Sequence, residues 1–573
     1  MTASTAAMQA QKLDANANFR ALADQYFEKA TFAYHPTQGT SVGLHQYDTK
    51  LENYSHASVD AEITTLLDFE KEVADLPTFQ MDQSTQADHA MVLNDIRSKL
   101  LTLQVIQPWS KNPDTYSSGI TNSAFVLMER KFAPADERLR SLIAREKQMP
   151  VVFDAARQNL KNPPHIYTEI ALEQLPGIIS FFQRDVPEAF KDAKDPQTQA
   201  EFKKTNAAVI AALSSYEAWL KSDLLPRSNG DFRLGADTFS KKLVYDEMVD
   251  TPLPKLLQIA YADMHRNQAE FARVAKEVDA SKTPQEVLAE LATIHPAPDN
   301  LLQTFRDTFN GLIAFINARH IITIPSEVRP VLEETPPFMR ATTQASMDPP
   351  GPFETHSTTA YFNVTLPEKA WTSEHIAEHM AAFNVGTVIS TSVHEAYPGH
   401  YVQFLWTNHT DLSKVRKLIG ANTNIEGWAH YCEQMMLDEG YGQPGAGARD
   451  EREAHLIRLG QLQDALLRDA RFIVGIKMHT GQMTFDQAVD FFVKEGYQSR
   501  SVGTVETKRG TSDPTYLYYT LGKLEILKLR ADLENKEGSS FSLQRFHDDF
   551  MRQGGAPIKI VRQALLGDNS PTL

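Results

Sequence analysis

The chain has 573 residues, 42% hydrophobic and 23% charged, with a net charge of −16. That acidity argues against nucleic acid as a partner, because neutralising phosphates takes an excess of Lys and Arg. No run approaches the roughly 18–20 apolar residues that span a bilayer, so membrane insertion is not expected. A single cysteine, Cys432, excludes a disulfide framework and any cysteine-based metal cluster.

At the N-terminus, MTASTAAMQAQKLDANANF has neither a basic n-region nor a continuous apolar h-region. As written the chain reads as cytoplasmic, or as periplasmic or secreted if a leader has been removed. Apolar residues at three- and four-residue spacings then predict helices over 58–80, 83–105, 120–160, 166–185, 195–222, 253–280, 284–320, 448–480 and 485–496. The last opens on T-F-D-Q at 484–487, a capping-box pattern. No repeat of fixed period is present, which disfavours a solenoid.

Between Ile321 and Pro352 the chain carries seven prolines, and the β-like runs IITIP and AYFNVTL follow one another across 321–366. Prolines at that density exclude regular helix, so a small β-sheet is expected there. The fold class is therefore mainly α, with a helical N-terminal part over 1–320. The sheet and a second helical part occupy 321–573. AYFNVTL is read as an edge strand that pairs with a substrate backbone. Helices are expected at about 373–383 and 385–406, the second running into HEAYPGH.

HEAYPGH, His394 to His400, contains the ingredients of a zinc site at an unusual spacing. In H-E-x-x-H the two imidazoles share a helix face, whereas six residues on a regular helix leave them roughly 120° apart. Pro398 removes the N–H that would bond the His394 carbonyl, and Gly399 frees the backbone. Together they predict a bulged helix that returns His400 to the face of His394. The alternative is a helix ending at His394, a Pro-Gly turn, and a second helix starting at His400. A third donor is available in NTNIEGWAHYCEQMMLDEG, a helical pattern that places Glu426 26 residues beyond His400. Glu433, two turns on, is positioned to orient a ligating histidine, and His430 and Cys432 read as packing residues.

H-E-x-x-P-G-H-x-x-Q (His394 to Gln403), E-G-W-A-x-Y-x-E (Glu426 to Glu433) and a late Y-x-x-G (Tyr519 to Gly522) together resemble the bacterial family called domain of unknown function 885. That family looks like a distant relative of the angiotensin-converting-enzyme and Taq-carboxypeptidase metallopeptidases, which are mostly helical around a deep central cleft. The resemblance spans nearly the whole chain and implies a zinc metallopeptidase acting on short peptides. It implies His394, His400 and Glu426 as zinc ligands, Glu395 as general base, and Tyr519 as a donor to the oxyanion. The family more often shows a Gln-containing segment near the late motif, so Tyr516 and Tyr518 stay open as alternatives to Tyr519, with Tyr516 a substrate-binding candidate. Arg509 is a candidate for binding a substrate carboxylate with its planar fork.

A competing motif lies upstream. WTSEHIAEHM contains H-I-A-E-H, His375 to His379, the inverted zinc pattern with i,i+4 histidines, for which Glu453 is a remote third donor. A solvated helix face carrying two chance histidines is the better account of it. Beyond a peptidase, two other functions fit the residues: a metal-dependent hydrolase of a non-peptide amide or ester, and an inactive helical metal-binding protein. No G-x-S-x-G and no P-loop stands in the sequence.

Overall fold

The computed structural model describes residues 2–335, 340, 344–368 and 371–573, with side chains of the first helix described from residue 14 onward. The fold is mainly α, and among the described residues the β-sheets are a three-stranded one and a two-stranded one. Backbone contacts divide the chain into two compact units. One comprises Met1–Phe232 with Pro350–Thr358, and the other comprises Arg233–Pro349 with Thr359–Leu573. The boundary between the units falls after residue 232. The reason is helix Leu253–Val278, which lies along helix Glu451–His479 and is tied to it by Asn267 donating to Asp469 at 2.7 Å.

Two expected helices are broken by proline. The 120–160 pattern is three helices, Asp114–Met128, Ala135–Glu146 and Met149–Asn159, the second beginning just after Pro134 and the third holding Pro150 in its first turn. Likewise 284–320 divides into Pro284–Leu291 and Leu301–Arg319 across His295-Pro-Ala-Pro298. Proline lacks the amide that would continue the ladder, so each break falls where it is cheapest. The capping box at Thr484 and Gln487 is present, with both reciprocal hydrogen bonds.

In the first unit, the 350–358 segment is held by Phe353 N–H donating to the Val42 carbonyl at 3.0 Å and by His45, which lies between Asp48 and Glu354 at 3.1 and 3.0 Å. In the second, strands β1 (Val331–Glu334), β2 (Ala345–Asp348) and β3 (Tyr361–Val364) form the sheet, in the order β1-β3-β2. β3 runs parallel to β1 and antiparallel to β2. AYFNVTL is therefore the central strand, not an edge: its backbone is paired on both sides, so it offers no free ladder to a substrate. Pro336 and Pro337 of the proline-rich stretch lie outside the described residues. Phe362 of β3 packs against Phe305 and Phe309 of helix Leu301–Arg319, with ring centroids 5.2 and 5.0 Å apart. Phe309 in turn meets Tyr397, inside HEAYPGH, at 5.4 Å.

Four helices surround that segment. Val385–Glu395 and His400–His409 flank it, Asn422–Asp438 follows, and Tyr518–Glu537 comes from near the C-terminus. The N-terminus of helix Asn422–Asp438 is capped from a distance: Glu247 accepts from Asn422 N, Thr423 N and Thr423 Oγ1 at 3.2, 2.8 and 2.7 Å. A carboxylate there meets the positive end of the helix dipole. Two pairs of these long helices touch backbone to backbone. A Cβ at Gly522 would stand 2.0 Å from the Thr423 carbonyl oxygen, and one at Gly427 2.6 Å from the Gly522 Cα. Gly386 and Gly460 make the equivalent contact between helices Val385–Glu395 and Glu451–His479. A buried ion pair, Lys523 Nζ to Asp263 Oδ2 at 3.0 Å, lies beside the first crossing.

Gly522→Ala is expected to destabilise the protein by about 2–3 kcal/mol through overpacking, read as a shifted urea midpoint. Gly177→Ala, in a helix with nothing within 4 Å of the added carbon, is expected to raise stability by up to about 1 kcal/mol. Equal shifts for the two would remove the steric explanation.

Candidate metal centre

The break in HEAYPGH brings the two histidines together without a continuous helix. Helix Val385–Glu395 stops at Glu395 and a new helix starts at His400, so the expected bulged helix is not formed and the alternative turn is. The Tyr397–Pro398 peptide is cis. Gly399 folds back on the end of the first helix, its N–H donating to the Val393 carbonyl at 2.9 Å. A Cβ at this position would lie 1.8 Å from the His394 oxygen, so glycine is required by close approach. Trp428 donates its indole N–H to the Pro398 carbonyl at 3.0 Å, fixing the turn from the following helix. Gln403 donates to Asn424 at 2.8 Å, tying the second helix to the same element. The result is two imidazoles 4.8 Å apart between ring centroids, nearly perpendicular.

Glu426 completes the group. One donor atom from each of His394, His400 and Glu426 lies within 4.8 Å of the others. Glu426 Oε2 stands 3.3 Å from His394 Nε2 and 3.4 Å from His400 Nε2, yet makes no hydrogen bond although it is buried. Two imidazole nitrogens and a carboxylate oxygen suit zinc, and a buried carboxylate oxygen left without a hydrogen bond is what such a donor set holds ready for a cation.

Behind the triad is a supporting chain of charge. Glu433 Oε1 accepts from His394 Nδ1 at 2.7 Å, which leaves His394 Nε2 to face Glu426. Arg468 Nη2 lies 3.0 Å from the same oxygen, and His430 Nδ1 3.1 Å from Glu433 Oε2. Burial opposes a charge on His394, but the Glu426 and Glu433 carboxylates beside it outweigh that and raise its pKa to about 10. Burial would raise the Glu426 carboxyl, yet His400 and His394 hold it well below the usual carboxylate range. Glu433 is likewise held low against burial, by Arg468 and His430. His430 is pushed down to about 3 by burial and by the Lys523 ammonium. It is thus a neutral support for Glu433 and not packing alone, whereas Cys432 is a buried free thiol.

Beside the triad is a cavity of about 210 Å³ whose walls include His394, Glu395, Tyr519, Arg468, Arg471 and Arg509. Glu395 is half-buried and makes no hydrogen bond or ion pair among the described residues. The Tyr519 ring lies 6.4 Å from that of His394. Of its neighbours, Tyr518 hydrogen-bonds Asp513 at 3.2 Å. Tyr516 is wholly buried against Gly475 and Gly510, so it packs the core and does not reach the cavity as expected of a substrate-binding residue. Arg509 does line it. Arg468 and Arg471 escaped the sequence reading, since nothing in the helical pattern of 451–479 separates them from ordinary charged positions.

The upstream motif is spent elsewhere. His379 Nε2 donates to the Thr365 carbonyl at 2.8 Å, and His375 stacks on Trp371 at 4.0 Å. Glu453 is bound to Arg449 at 2.9 Å. Among the described residues, only His394, His400 and Glu426 form a group able to hold a metal ion.

No curated protein matches the chain. A solved structure described as "a putative lipoprotein of unknown function from Shewanella oneidensis" is similar, with 26% identity, TM-score 0.79, and 96% of this chain and 99% of that one covered. Another, described as "the putative lipoprotein from Colwellia psychrerythraea", shares the fold at 18% identity and TM-score 0.79, with 97% and 99% covered. Among the described residues no helix is long and apolar enough to cross a membrane. Residues 36–565 match one family throughout, and the chain belongs to it: the bacterial proteins of unknown function grouped as DUF885.

Proposed function

We propose that this protein is a zinc-dependent metallopeptidase that hydrolyses short peptides. The observation that carries the reading is the convergence of His394, His400 and Glu426 donor atoms within 4.8 Å, beside a cavity that Glu395 and Tyr519 also line. Zinc, when bound, supplies Lewis acidity and lowers the pKa of its water to about 7.

The chain's own groups do the rest. Glu395, adjacent in sequence to a ligand and without a partner, takes the proton of the attacking water as the new carbon–oxygen bond forms. It then delivers that proton to the amine as the peptide C–N bond breaks, so water is added across the amide. Tyr519 offers its phenol O–H to the carbonyl oxygen as charge develops there. Glu433 fixes the His394 ring, and Arg468 compensates the charge that Glu433 keeps in the interior. A place outside the cytoplasm is supported by the description of both solved relatives as lipoproteins.

Glu395→Gln is expected to retain zinc and to lower kcat on a peptide library by about 10²- to 10⁴-fold; cleavage at the wild-type rate would sink the base role. His400→Ala is expected to abolish zinc binding and His379→Ala to leave it intact, both read by elemental analysis after dialysis. The reverse pattern would move the metal to the upstream motif. A zinc-loaded wild type that hydrolyses esters and leaves every peptide whole would move the reaction to the other hydrolase class.

A further inference from the structure

Three guanidinium groups wall the cavity, and they differ in what already occupies them. Arg468 is held by Glu433. Arg471 presents Nε and Nη2 to both oxygens of Glu506, at 2.6 and 2.8 Å. Arg509 presents the same two nitrogens to Asp513, at 3.2 and 3.1 Å. In Arg471 and Arg509 the remaining amino group, Nη1, makes no hydrogen bond among the described residues. Both groups stand over the Tyr519 ring, 5.1 and 5.9 Å from its centroid. Arg509 Nη2 also donates to the Tyr518 and Tyr519 hydroxyls, at 3.3 and 3.4 Å; a guanidinium held in this way is rigid, and its Nη1 amino group is a charged donor for a second carboxylate.

Three acids line the same cavity, Glu395, Glu433 and Asp464. Glu433 is paired with His394 and Arg468. Asp464 is half-buried, and desolvation raises its carboxyl, with Arg468 opposing. Glu395 is next in the chain to His394. The cavity therefore brings His394 and Glu395 into one space with the arginine pair, and the Tyr519 ring is in reach of both.

We propose that Arg471 and Arg509 clamp the C-terminal carboxylate of the peptide, so that hydrolysis releases a piece of one to three residues from the C-terminus. This rests on the metallopeptidase reading. Tyr519 supplies the ruler: its ring lies 6.4 Å from the His394 ring and 5.1 Å from the Arg471 guanidinium. Laid end to end, those spans take about three extended residues at roughly 3.5 Å each. A longer C-terminal piece cannot lie extended between the clamp and the triad.

The test compares three versions of one N-acetylated pentapeptide: free acid, C-terminal amide, and an amide ending in glutamate. The zinc-loaded wild type is expected to cleave the acid with a kcat/KM about 30-fold above the amide, the difference that a charge-assisted pair supplies. Mass spectrometry should show loss of one to three C-terminal residues. Arg509→Gln should narrow the acid-to-amide ratio to within about 3-fold, with Arg509→Lys intermediate. Equal cleavage of acid and amide, or cuts deeper in the chain, would overturn the clamp. Fast cleavage of the glutamate amide would overturn recognition of the chain end, leaving a side-chain carboxylate as the source.

If no peptide is cleaved, the metallopeptidase reading falls and the clamp is judged by binding. Calorimetric titration of the acid and amide peptides into the wild type should then show about a tenfold or greater preference for the acid, lost in Arg509→Gln. Equal affinities would overturn the clamp itself.

Discussion

Everything around the candidate metal centre hangs on the place where two helices meet without side chains between them. Gly427 and Gly522 bring helices Asn422–Asp438 and Tyr518–Glu537 into backbone contact. Glu426 is the residue before one of these glycines, and Tyr519 lies one turn before the other. The positions of the Glu426 carboxylate and of the cavity tyrosine are thus both set by one crossing. Interdigitated side chains can repack by rotamer changes, whereas touching backbones cannot. Short motifs that look like strings of functional residues are here half architecture: in E-G-W-A, glutamate faces the histidines, glycine makes the crossing, and tryptophan holds the Pro398 carbonyl.

The second requirement is that charge in the interior be answered. Glu433 is fully buried, and it remains ionised because His394, Arg468 and His430 surround it. Lys523, buried on the next helix, is answered by Asp263, and burial still lowers its pKa to about 8. Pairs of this kind add little net stability over an apolar core, because desolvation offsets most of the attraction. What they supply here is orientation. A histidine whose Nδ1 is committed to a carboxylate presents a single nitrogen in a fixed direction.

Local chemistry was readable from the sequence, and distant pairing was not. His394, His400 and Glu426 converge as their spacing and motif implied, and the Thr484 capping box formed as written. The way the histidines converge differs: proline and glycine end one helix and let another begin, where a bulge was expected. That outcome depends on Trp428 and on the Val393 carbonyl, neither of which is visible from the spacing of HEAYPGH. AYFNVTL looked like an edge because its own residues favour strand, but whether a strand is central depends on partners up to thirty positions away. Arg471 was hidden for a related reason. Helix Glu451–His479 is buried on most of its faces, so amphipathic periodicity cannot separate residues that pack from residues that line a cavity.

The bond between Asn267 and Asp469 closes a loop of 202 positions, and the Lys523–Asp263 pair closes a longer one. Contacts so distant in sequence form late, because loop closure must precede the gain from the contact. The triad itself spans only residues 394 to 426, but Gly522 and Arg468 hold its frame from outside that span. In small zinc domains the ion organises the chain. Here the frame of the three donor side chains is fixed by contacts made far along the chain, so their geometry is a product of the fold.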